Sequence, residues 1–99
     1  MGLNRQMALA WIERQRLEQD RLWGAPGADF TRRENGYGNA APHLLVLEEK
    51  VARLRSIWYE MPRSDEKKRR LFEEFSKVCA IAFRALEEMD GPEPPDIQP

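Results

Sequence analysis

The sequence predicts an all-α protein: an antiparallel helical hairpin plus an N-terminal helix, forming a helical bundle completed by dimerisation. Two apolar patterns and one short break carry that expectation. Leu44, Leu47, Val51, Leu54, Trp58 and Met61 recur at alternating three- and four-residue steps, the spacing of a helix seam. Phe72, Phe75, Cys79, Ala82, Leu86 and Met89 repeat it, with Leu71, Val78 and Ile81 widening the stripe. The break Met61-Pro62-Arg63-Ser64 between them is short, so the two helices fold back on each other.

Taken in order, residues from about Asn4 to Trp23 lack Pro and Gly and are rich in Gln, Glu, Arg and Leu, strong helix formers. Their apolar positions Leu3, Met7, Ala10, Trp11 and Leu17 form a broken stripe, so this helix packs at one edge. Gly24-Ala25-Pro26-Gly27 ends it, and the Gly- and Asn-rich stretch over 24–41 reads as a long loop. The second helix opens between Asn39 and Pro42, the proline standing in a first turn where its missing N–H is not needed. Ser64 is a good N-cap for the third, and Asp65 and Glu66 suit the positive end of its dipole. Gly91 and Pro92 stop it, and 92–99 is a Pro-rich disordered tail. The expected layout is one domain over 1–91, with helices over about 4–23, 42–61 and 64–90.

Composition narrows the class. The chain has 99 residues, and a single core of that size is marginal without oligomerisation or tight packing. Charged residues make up 33% of it, yet the net charge is -1, so no overall field favours nucleic acid or a membrane. No apolar run reaches membrane-spanning length and no basic-then-apolar leader follows Met1. Cys79 is the one cysteine, which excludes an internal disulfide. A soluble cytoplasmic protein is expected.

Two acidic pairs stand out, Glu48-Glu49 on the second helix and Glu73-Glu74 on the third. Carboxylates facing each other across two helices are how an all-α site gathers a hard cation. The plainer reading is that all four are solvated acids on charged helices. Their matched placement on both arms of one hairpin is what raises the functional reading.

At these residues the chain resembles a family. Glu13-Arg-Gln-Arg-Leu-Glu-Gln-Asp-Arg-Leu-Trp-Gly24 is similar to an early segment of many phage and actinobacterial MazG-like proteins. His43-Leu-Leu-Val-Leu-Glu-Glu49 resembles their first metal helix, and the run from Leu71 to Phe83 resembles their second. The likeness spans roughly Ala10 to Asp90, in the same order, on short motifs of low specificity. It implies an all-α nucleoside triphosphate pyrophosphohydrolase scaffold, dimeric or tetrameric, using Mg²⁺ held by an E-x-x-E and an E-x-x-D pair. Carried over, Glu49 and Glu74 match the first acid of each pair, with Glu48 and Glu73 as substitutes. Ala52 and Lys77 stand where the second acids belong. A Lys beside two carboxylates balances their charge but does not polarise a phosphate-bound water as Mg²⁺ does. The resemblance therefore implies a degenerate site, with no catalytic residue assigned and no cofactor unless Glu48 and Glu73 restore Mg²⁺ binding.

Trp23 and Tyr37 are candidates to stack on a base, and Arg53, Glu74 and Lys77 complete the expected nucleotide- or partner-binding set with Glu49. His43 is the only histidine, so no His-based zinc site or triad forms within one chain, and it reads as a surface or capping residue. Cys79 reads as an inert packed thiol. Lys67-Lys68-Arg69-Arg70 reads as a solvated basic turn rather than a nucleic-acid patch. Asn35-Gly-Tyr-Gly-Asn39 has no strand before it and is no phosphate-binding fingerprint. Three function classes follow: a non-hydrolysing protein binding a nucleotide or a host protein, as a phage-encoded inhibitor would; an active Mg²⁺-dependent pyrophosphohydrolase; and a plain helical dimerisation module. In each the partner expectation is a homodimer or higher homo-oligomer.

Overall fold

The computed structural model describes residues 3–24, 40–89 and 91–96. Those residues are all-helical and hold three helices: α1 (Leu3–Trp23), α2 (Ala40–Glu60) and α3 (Asp65–Glu88). The central helix is α3. Both α1 and α2 pack on it, while they barely touch each other. No helix among the described residues is long and apolar enough to cross a membrane. The expected loop over 24–41 and Tyr37 within it lie outside the described residues, apart from Gly24 and the helical residues 40 and 41.

Local chemistry sets the helix ends. Gly24 takes φ +85 and its N–H returns to the Asp20 carbonyl at 2.9 Å. That is the left-handed C-terminal stop that glycine reaches without a Cβ penalty. Ser64 caps α3 as expected, its Oγ accepting from Lys67 N–H at 3.1 Å, with Asp65 and Glu66 in the first turn. The hairpin between α2 and α3 has a second lock. Lys67 Nζ donates to the Trp58 carbonyl at 2.7 Å and lies 4.4 Å from the centre of the Trp58 ring. One ammonium thereby satisfies a C-terminal carbonyl of α2 and takes a cation–π contact. This corrects the expectation of a wholly solvated basic turn, since Lys67 is buried. The third helix ends at Glu88, where Met89 leaves the helical conformation, short of Gly91.

The core is small and sits between α2 and α3. Leu54 and Ile57 of α2 and Ala80 and Ile81 of α3 are the buried apolar residues among those described. The expected seams overlap this surface only in part. Leu44, Val51 and Trp58 of the α2 pattern are exposed, and so are Phe72, Phe75, Cys79 and Leu86 of the α3 pattern. The reason is a rotation of each helix toward charged partners: the face that α3 buries also carries Lys67, Glu74, Arg84 and Glu88. Cys79 is thus an exposed thiol, not a packed one. The N-terminal helix behaves alike, burying Arg16 and Gln19 while Met7 and Leu17 face out.

Candidate functional site

Three features compete as the functional site. The first is the position where the metal was expected. Glu74 lies on the α2-facing side of α3, with its side chain only 9% exposed. Arg53 Nη1 of α2 approaches its Oε1 to 3.7 Å, and Lys77 Nζ, one turn along α3, to 3.6 Å. Lys77 also lies 3.7 Å from Glu73, whose other oxygen is 3.5 Å from Arg69. Glu74 Oε2 is buried with no hydrogen-bond partner. Beside Arg53 a polar depression of about 430 Å³ opens, shared with Ser56, Glu60 and Arg70.

Of the expected site residues, the fold brings Arg53, Glu74 and Lys77 together and leaves Glu49 and Glu48 on the exposed side of α2. Trp23 lies elsewhere, at the end of α1, with the Arg84 guanidinium 5.5 Å from its ring centre. The donor set around Glu74 does not fit Mg²⁺. An octahedral hard cation needs several converging oxygens, and here one buried carboxylate faces two cationic side chains. Among the described residues no group of three potential ligands gathers anywhere.

The second feature is an ionic chain across α1 and α3 that ends on α2. Arg16 Nε donates to Glu87 Oε1 at 2.7 Å, and its Nη1 lies 3.0 Å from both Gln19 Oε1 and Asp20 Oδ1. Arg84 Nη1 takes the same Asp20 oxygen at 3.0 Å and the Gly24 carbonyl at 2.9 Å. Arg84 Nε reaches Glu88 Oε1 at 3.0 Å, and Glu88 Oε2 accepts from His43 Nε2 at 3.0 Å. His43 is therefore a buried clamp between α2 and α3, which corrects its reading as a surface residue. The sequence held a signal for part of this: Arg16–Asp20 and Arg84–Glu88 are both i,i+4 pairs. What it did not hold was which pair would dock on which.

The third feature is an apolar groove of about 620 Å³ between α1 and α2, floored by α3. Ile12 stands on its α1 wall and Trp58 on its α2 wall. Phe72 and Phe75 line its floor, and Arg63 and Lys68 stand at the hairpin end. Trp11 meets Phe72 edge-on at 5.5 Å between ring centres, fixing the α1 side. Phe72 and Phe75 remain 41% and 56% exposed, so the groove is open. Its aromatic lining is apolar surface left to solvent, which a further contact would bury. Comparison of the chain with family models, with curated proteins and with solved structures finds no match.

Proposed function

We propose that the chain is a MazG-like helical protein that binds its ligand without hydrolysing it and that works as a homodimer. The observation that carries this reading is the pair of cations on Glu74. Arg53 and Lys77, at 3.7 and 3.6 Å, supply the charge balance that a divalent ion gives a carboxylate site. They activate no water, because neither lowers the pKa of a bound water as a metal does. The adjoining depression presents the Arg53 and Arg70 guanidiniums, groups suited to phosphate oxygens, with Ser56 as a further hydrogen-bonding group. A nucleotide held there is bound as an anion and released unchanged. Support for self-association is separate: the three-helix unit leaves its aromatic groove open to solvent.

Thermal shift with a panel of nucleoside triphosphates, with and without Mg²⁺, tests the binding reading. Stabilisation independent of metal is expected, with no pyrophosphate released. Mg²⁺-dependent hydrolysis by the unmodified chain, lost in Glu74→Gln, would overturn it in favour of the enzyme, with Glu48 and Glu73 supplying the missing ligands. The double variant Ala52→Glu, Lys77→Asp restores a carboxylate at each i+3 position and is expected to gain Mg²⁺ affinity by calorimetry.

A further inference from the structure

On the groove side of α2 three exposed apolar residues follow one another at intervals of seven: Leu44, Val51 and Trp58, which are 58%, 45% and 51% exposed. Seven residues are nearly two full turns, so the three share one flank of the helix, each about 10.5 Å from the next. Trp58 shows which flank this is, since it forms the α2 wall of the groove. Between them, on the outer edge of the same flank, stand Glu48 and Arg55, also seven apart and also exposed. Among the described residues neither has an ion-pair partner within 4.0 Å. The seam residues that hold α2 to α3, Leu54 and Ile57, lie on a different face. This helix therefore carries a second heptad seam, separate from the first and uncovered.

From that seam we infer that the groove is closed by a second copy of this chain, through antiparallel pairing of the two α2 helices about a two-fold axis at Val51. This rests on the self-association proposed above and adds its geometry. Centring an antiparallel pair on Val51 sets Val51 against its own copy and Leu44 against Trp58 of the partner subunit. The N-terminal part of the partner's α2 then lies over the aromatic half of the groove, and the reverse holds for the other copy. Charge selects the direction. Antiparallel pairing brings Glu48 level with Arg55 of the partner subunit, twice by symmetry, whereas parallel pairing sets Glu48 against Glu48 and Arg55 against Arg55.

Two measurements test the arrangement. In the first, dimer dissociation is followed by sedimentation at low salt. Glu48→Arg and Arg55→Glu should each weaken the dimer roughly ten-fold, and the double variant should recover it. A parallel dimer exchanges one like-charge pair for another in each single variant, so unchanged affinity in both singles overturns the proposal. In the second, single cysteines are oxidised in a Cys79→Ser background, with circular dichroism reporting the fold. Val51→Cys should form an interchain disulfide. Leu44→Cys should not, since its copies lie about 21 Å apart in the antiparallel pair. Rapid cross-linking through Leu44→Cys, or a dimer in which Val51→Cys does not cross-link, overturns this geometry and leaves self-association standing. A stable monomer at micromolar concentration overturns both.

Discussion

Toward its C-terminus α3 turns charge inward, and toward its N-terminus it turns aromatic rings outward. At the first end Arg84 and Glu88 are buried and joined to Asp20, Gly24 and His43. At the other end Phe72 and Phe75 floor an open groove. The same helix, with the same neighbours, thus solves burial in opposite ways. Ion pairing fixes geometry because each guanidinium has few acceptable positions, but its net stabilisation is modest. Aromatic surface supplies stabilisation only once something covers it. The ionic end therefore specifies how the three helices sit, and the aromatic end leaves apolar surface that only a further contact would bury.

The ionic end depends most on Arg84. Replacing it with Ala leaves Asp20 and Glu88 without their shared cation, and the Glu88 side chain is almost fully buried. Removing one partner of a buried ion pair costs about 3–5 kcal/mol. The expected result is a large fall in denaturation midpoint together with detachment of α1, read as faster amide exchange in the α1 residues around Arg16. The joint change Arg84→Met, Glu88→Leu removes both charges and should cost much less. If Arg84→Ala moves the midpoint little, the ionic end does not organise the helices.

At the aromatic end the order of effects reverses. Phe75 and Trp58 are each more than half exposed in the single chain, so neither is the buried core aromatic its position in the stripe predicted. Phe75→Ala should cost the isolated fold less than about 1 kcal/mol, because little of its surface is withdrawn from water there. It should weaken the proposed dimer by about 2 kcal/mol, the scale of an interface hot spot. Sedimentation and dilute-solution unfolding measured on the same variant separate the two. Destabilisation of the dilute monomer without any change in association would place Phe75 in the fold instead.

Much of this was legible in the residues. Helix type, the Ser64 cap, the hairpin and the approximate ends all follow from period and punctuation, which are local. What was not legible was which face of each stripe turns inward. Leu44, Val51 and Trp58 match the seam pattern as well as Leu47 and Leu54 do, since a heptad stripe records apolar positions and not their partners. The decision came from outside the stripe, from His43 meeting Glu88 and Lys67 meeting the end of α2. At the candidate site the sequence set Glu49 opposite Glu74, whereas the fold brings Arg53 of α2 and Lys77 of α3 itself to Glu74. Glu49, one turn before Arg53 on α2, is exposed and does not join them.

Between the two ends lies Glu74, which shares a feature with each. Its carboxylate is buried like that of Glu88 at the ionic end, yet its partners Arg53 and Lys77 are partly exposed and neither is within 3.5 Å. Glu74 Oε2 has no donor at all. Glu74→Gln should therefore change stability by no more than about 1 kcal/mol, since the lost attraction is offset by ending the desolvation of an under-paired charge. Chemical denaturation of the variant beside Arg84→Ala checks the contrast. A loss as large as that of Arg84→Ala would mean Glu74 is a structural ion like Glu88.

The smallest expected effects come from the pairs on the outer surface, where charge organises little. A hydrogen bond from Arg69, aided by its positive charge, holds the Glu66 carboxyl below the ordinary glutamate range. Arg21 does the same to Glu18. A carboxyl lowered in the folded state binds its proton less readily than the unfolded chain does. Its contribution to stability is then present above the unfolded value and is lost as pH falls through the lowered one. Both groups are exposed and screened by salt, so the loss is small and confined to acid pH. Melting temperature followed from neutral pH into acid, at low and high salt, should show a slightly shallower decline for Glu66→Gln than for the parent, and the difference should vanish in high salt. A salt-independent difference would show that Glu66 acts through more than its surface pair, for instance by supporting the first turn of α3 beside the Ser64 cap.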